Sequence, residues 1–163
     1  MCQDASMETH DPGAPTELTF LLGMAFQLVL SEFVSRVEAA GYADLRPMHG
    51  LVFQALRGAG ATSSELAERL GVTKQAAGQI IDDLERRGYV ERQPHPAGGR
   101  RKLVVLTARA REHLTVAGRI LHEQEAQLAE RLHEVGLRVP RAELAAIIRV
   151  MAGDSVPPLR PIW

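Results

Sequence analysis

The stretch from Ser63 to Thr107, SSELAERLGVTKQAAGQIIDDLERRGYVERQPHPAGGRRKLVVLT, constrains this chain more than any other. Leu66, Ala67 and Leu70 recur at helical spacing, and so do Ala77, Ile80, Ile81 and Leu84. Gly71 separates the two blocks. The spacing predicts a short helix capped by Ser63 or Ser64, a tight turn, and a second helix that Thr73 caps and Gly88 ends. Val90 to Gln93 and Lys102 to Leu106 read as strands around PHPAGGRR, a loop rich in Pro and Gly. Helix, turn, helix and hairpin in that order predict a winged helix-turn-helix.

The rest of the chain is helical in pattern. From Thr16, a candidate N-cap, Leu18, Leu21, Leu22, Ala25, Phe26, Val29, Leu30, Phe33 and Val37 form a wide apolar face that Gly41 ends. A face this wide wants burial on more than one side, so part of it is read as a subunit interface. Glu17, Gln27, Glu32 and Arg36 interrupt it too often for a membrane span. Arg46 to Leu56 reads as a helix with Pro47 in its first turn. Thr107 caps a long helix over Ala108 to about Val135, ended by Gly136, and a last helix runs from Pro140 or Arg141 to Met151. The expected organisation is a flexible arm over 1–15, dimerisation helices over 16–41 and 108–152, a winged helix-turn-helix over 42–107, and a Pro-rich tail over 153–163. The fold class is mainly α with one small β-hairpin.

Composition removes several functions. The only cysteine among 163 residues is Cys2, so an intrachain disulfide and a cysteine zinc knuckle are excluded. The start of the chain lacks a basic stretch leading into an apolar one, so a signal peptide is not expected, and a cytoplasmic setting fits. No nucleophile–base spacing, metal motif or glycine-rich phosphate loop supports an enzyme, and no cofactor is implied. The six histidines read as surface or satisfied interhelical groups.

Charge is polarised. Residues 1–40 carry one basic and six acidic side chains, whereas residues 41–107 carry ten basic and seven acidic ones. The basic share therefore coincides with the helix-turn-helix, where a phosphate-binding face is expected. The inward edge of the second helix is apolar. Its other edge is Lys74, Gln75, Gly78, Gln79 and Asp82. Glutamine can bridge adenine N6 and N7, and lysine can reach guanine acceptors or phosphate. Ser63, Ser64 and Thr73 offer hydroxyl or helix-terminal amide contacts to phosphate. Gly78 is costly inside a helix, by about 1 kcal/mol against Ala. It is expected where a base, a DNA backbone or another protein segment comes close. Asp82 is read as orienting a basic neighbour. Arg92, Arg100, Arg101 and Lys102 surround the hairpin tip, where an arginine can enter a minor groove.

These residues resemble the helix-turn-helix and wing of the MarR family of bacterial regulators. The similarity spans about residues 17–152 and is strongest from Leu66 to Thr107. It implies a dimeric winged helix with terminal helices at the dimer interface, and the expected function is a sequence-specific repressor or activator on a pseudo-palindromic DNA operator, with repressor preferred. It also implies a small-molecule effector crevice between the dimerisation helices and the reading unit, near Met48 and His49. Aligned on Leu106 and Thr107, Arg100 takes the arginine of the family's wing motif, and Gly98 stands where that motif has aspartate. Gln79 stands where a basic residue is common. The first-helix cysteine of peroxide-sensing members is absent. Net charge near zero, Gln79 and Gly98 favour the rival reading, a winged helix that binds a protein partner.

Overall fold

Each helix start is written locally. In the computed structural model, which describes residues 17–98, 101–153 and 155, Thr73 Oγ1 accepts from the Ala76 N–H at 3.1 Å. Thr107 Oγ1 accepts from the Ala110 N–H at 3.4 Å. These open α4 (Lys74–Arg86) and α5 (Ala108–Glu134). Pro47 occupies the first turn of α2 (Pro47–Ala55). The cap of α3 (Ser63–Leu70) is one residue earlier than expected. Thr62, not Ser63 or Ser64, accepts from the Glu65 N–H, and the Glu65 carboxylate accepts from the Thr62 N–H at 2.7 Å. Thr62 and Glu65 thus make a reciprocal capping box, which leaves both serines inside the first turn.

The helix α1 (Leu18–Val37) continues into a π-helical turn over Glu38–Tyr42, where Gly41 has φ +97°. The predicted cap Thr16, the arm 1–15 and nearly all of the tail 153–163 lie outside the described residues. The last helix, α6, spans Arg141–Ala152.

The hairpin pairs β1 (Val90–Pro94) with β2 (Lys102–Leu106) antiparallel, Val90 opposite Leu106 and Pro94 opposite Lys102. Ala61 also bridges Val104, its N–H donating at 3.1 Å and its carbonyl accepting at 2.8 Å. The residue before it must be glycine. Gly60 has φ +81°, and a Cβ there would stand 2.4 Å from the Val104 carbonyl oxygen.

The core lies beneath the winged helix. Val52 and Phe53 of α2, Leu66 of α3, Ile81 and Leu84 of α4, Tyr89, and Val104 of β2 are all fully buried. Ala110 and Ile120 of α5 close it from the side. The flanking helices are covered far less. Val37 is the only buried residue of α1, and α6 buries none of its residues among those described. Leu28 is 73% exposed, Phe20 64% and Val150 84%. By length and composition alone, Leu18–Tyr42 would also suffice to cross a membrane. One flank of α1 is nevertheless used against α5, where the Gln124 amide donates to the Val29 carbonyl at 2.9 Å. Its apolar remainder is bare in a single chain.

Candidate nucleic-acid interface

The α3–α4 turn sets the angle between the two helices. Gly71 adopts φ +65°, ψ 32°, and the Val72 N–H returns to the Ala67 carbonyl at 3.0 Å. Ala77, Ile81 and Leu84 then face the core, which rotates the opposite side of α4 outward. Lys74, Gln75, Gln79 and Asp82 are exposed on that side, with Gly78 half-buried among them. A Cβ at Gly78 would meet nothing within 4 Å. The chain's own packing among the described residues therefore does not require glycine there. Thr73 and Ser64 are exposed at the two helix starts, and Ser63 is half-buried.

The wing is tied to this helix by Arg92. Its guanidinium pairs with Asp82 Oδ1 at 2.5 Å and with Glu85, while its N–H donates to Glu85 Oε1 at 3.2 Å. Asp82 does orient a basic neighbour, as its position suggested. Arg92, expected at the tip with the other cations, is instead committed to two carboxylates of α4. Arg101 and Lys102 are exposed. Arg100, the arginine of the wing motif, lies outside the described residues. Before it, at the edge of the described residues, Gly98 has φ +73°, and its N–H closes the turn on the His95 carbonyl at 2.8 Å.

A polar cluster that sequence reading missed bolts the base of α4 to the start of α2. Arg87 pairs with Asp83 at 2.8 Å and donates to the Asp44 carbonyl at 2.7 Å. The Tyr89 hydroxyl donates to Asp44 at 2.9 Å, and Arg109 lies over the Tyr89 ring. Burial, then the bond to Asp44, pushes the Tyr89 phenol up to about 12. His49 is buried beside this cluster. Its Nδ1 accepts from the Arg46 N–H at 3.1 Å, and its Nε2 lies 3.9 Å from Asp83.

Between α1, α2 and α5 lies a cavity of about 310 Å³, lined among others by Phe33, Val37, Leu51, Gln54, His113 and Leu114. Met48 and His49 do not line it. Pro47, Gly50, Leu51 and Gln54, at helical spacing, are the α2 residues that do. Met48 and His49 sit on other faces of the same helix, where His49 is already engaged. His113 was expected at the surface or satisfied between helices. It is buried, and its Nδ1 has no hydrogen-bond partner among the described residues. Burial holds both His49 and His113 below the ordinary histidine value.

Helix-turn-helix, hairpin and flanking helices together define a winged helix-turn-helix protein. Residues 43–101, the winged helix-turn-helix unit, match the MarR family. Among solved structures, the repressor CouR of Rhodococcus jostii RHA1, bound to a 23-mer DNA duplex, is 25% identical with a TM-score of 0.64. That match covers 83% of this chain and 92% of CouR. The structure of RV1404 from Mycobacterium tuberculosis is 21% identical with a TM-score of 0.69, over 84% of this chain and 92% of its own, and shows the shared fold. A curated relative, the LexA repressor of Deinococcus radiodurans, is 37% identical over an alignment of 134 residues that covers 69% of this chain. The match spans 61% of that relative's length.

Proposed function

We propose that this protein is a homodimeric, sequence-specific DNA-binding transcriptional repressor whose hold on DNA is set by a small-molecule effector. The observation that carries the DNA assignment is the outward face of α4. Lys74, Gln75 and Gln79 stand exposed beside Gly78, and no hydrogen bond or ion pair ties their side chains to other described residues. Long polar side chains around a notch on a rigid helix are what reading a major groove requires. Thr73 and Ser64 supply phosphate contacts at the helix starts, and Arg101, Lys102 and Arg100 supply them from the wing. In this reading Arg92 positions the wing instead of touching DNA.

Homodimerisation is supported by the bare apolar faces of α1 and α6. A dimer would present two copies of α4 to successive major grooves of a pseudo-palindromic operator. The effector reading is supported by the cavity, whose walls belong both to the flanking helices and to α2. A ligand with different affinities for two spacings of the α4 helices would change DNA affinity. The relatives agree: CouR was solved with DNA and with p-coumaroyl-CoA. A protein of this kind works in the cytoplasm, on the DNA, without catalysis.

Selection of bound sequences from random duplex DNA tests the proposal. An enriched inverted repeat, bound with an affinity that falls steeply with salt, is expected. Enrichment of no sequence, with weak salt dependence, would make this a protein-binding winged helix instead.

A further inference from the structure

Asp44 is the point where four parts of the fold meet. It lies in the short link between the π-helical turn Glu38–Tyr42 and α2. Its carbonyl accepts from Arg87, at the end of α4, at 2.7 Å. Its carboxylate accepts from the Tyr89 hydroxyl through Oδ1 at 2.9 Å, and from Arg109, in the first turn of α5, through Oδ2 at 3.3 Å. Arg109 closes the ring. It donates to the Arg87 carbonyl at 2.9 Å and lies over the Tyr89 ring, 4.4 Å from its centroid. Arg87 also pairs with Asp83, one turn back in α4. The link before α2, the end of α4, the start of the wing and the first turn of α5 are thus joined through one residue.

We propose that Asp44 is a positioning residue for DNA reading: by holding the end of α4 through Arg87, Tyr89 and Arg109, it sets the tilt at which Lys74, Gln75 and Gln79 meet the base edges. The inference rests on the reading of α4 as the DNA-contacting helix. The other supports of α4 fix that tilt less closely. Its start is tied by the Gly71 turn, and Ala77, Ile81 and Leu84 hold it by apolar contact, which is non-directional. Arg92 ties it to the hairpin that follows, not to the flanking helices. The ring around Asp44 is directional, acts at the far end of α4 and reaches α5. Gln79 lies six residues beyond Thr73, about 9 Å along the helix axis. A tilt of about 5° about the tied start would move it by about 0.8 Å, more than the roughly 0.5 Å within which a binding group must be held. Asp44, Arg87 and Arg109 are all partly exposed, so their ion pairs add little to stability, and orientation can be tested apart from it.

The test uses the full chain with two duplexes of equal length, the one recovered by selection and an unrelated one. Binding is followed by fluorescence anisotropy over a range of salt, under conditions where circular dichroism shows each variant folded. Asp44→Ala should lose the preference for the selected duplex by roughly tenfold, the worth of about one misplaced base contact. Binding of the unrelated duplex should not weaken, and the salt slope should not fall, because no phosphate contact is removed. Asp44→Asn keeps an acceptor for Tyr89 but loses the charge facing Arg109. It should lose part of the preference, and it decides alone should the alanine variant not fold. An unchanged preference with a lower urea midpoint makes the ring a structural brace and overturns the inference, with α4 still the reading helix. An equal loss on both duplexes overturns it too. A wild-type chain without sequence preference overturns the reading of α4 itself, and this inference with it.

Discussion

Replacing Gly78 with alanine separates what the fold needs from what DNA needs. Gly78 lies in the middle of α4, and a Cβ there meets nothing within 4 Å. The methyl group therefore costs no packing, while the helix gains the difference in propensity, about 1 kcal/mol. For a domain of this size that gain corresponds to a rise in melting temperature of roughly 2–4 °C. The same methyl would project among Lys74, Gln75 and Gln79, where the proposed complex would bring a base edge or DNA backbone against the glycine. Overfilling a close contact costs about 1–3 kcal/mol, and 1.4 kcal/mol is a factor of ten in affinity. We expect G78A to unfold at higher urea concentration and to bind the selected duplex roughly tenfold more weakly at fixed salt. Urea titration and fluorescence anisotropy measure the two effects. A variant that is more stable and binds equally well would show that nothing approaches Gly78. A less stable variant would show that the fold itself demands the glycine.

Four further outcomes follow from the same geometry. Because Arg92 is already paired with Asp82 and Glu85, Arg92→Met should cost about 0.5–1 kcal/mol of stability. It should leave the salt slope of DNA binding unchanged, whereas Arg101→Ala or Lys102→Ala should each lower that slope by about 0.9; a lowered slope for the methionine variant would return Arg92 to the phosphates. Gly60→Ala should destabilise by about 2 kcal/mol or more, since its Cβ would meet the Val104 carbonyl in a left-handed conformation, and denaturant unfolding reads this directly. Burial lowers the folded-state pKa of His49 and His113 below 6.5, so on acidification the unfolded chain takes up protons first. Stability should be level above about pH 7 and decline below 6.5, by at most about 1.4 kcal/mol per pH unit per histidine, until each folded-state value is passed. A flat urea midpoint from about pH 7 to 5 would contradict neutral, buried imidazoles. Finally, if α1 forms the proposed dimer interface, the wild-type chain should sediment as a dimer and Leu28→Glu as a monomer with the winged helix still folded; a monomeric wild-type chain would refute the dimer, and a dimeric variant would place its interface elsewhere.

What could be read without coordinates was whatever short-range chemistry decides. Thr73 and Thr107 cap their helices because a hydroxyl reaches an N–H three residues on, a contact confined to one turn. Spacing alone turned Ala77, Ile81 and Leu84 inward, and with them Lys74, Gln75 and Gln79 outward. The same local code held the one cap that was misread, since Thr62 and Glu65 stand at capping-box spacing in plain sight. Long-range encounters were not legible. Gly60 looks like any loop glycine until Ala61 is found bridging Val104, 43 positions along the chain. Arg92 looks like a wing cation until the hairpin folds back on α4 and brings it to Asp82 and Glu85. His113 looks like one more helix-surface histidine until Tyr42 and Phe53 enclose it. The winged helix was therefore determined by the sequence, through periodicity and capping. Which cations are tied up in ion pairs, and which histidine is enclosed among aromatic rings, was decided by tertiary structure, because both depend on which distant side chains meet.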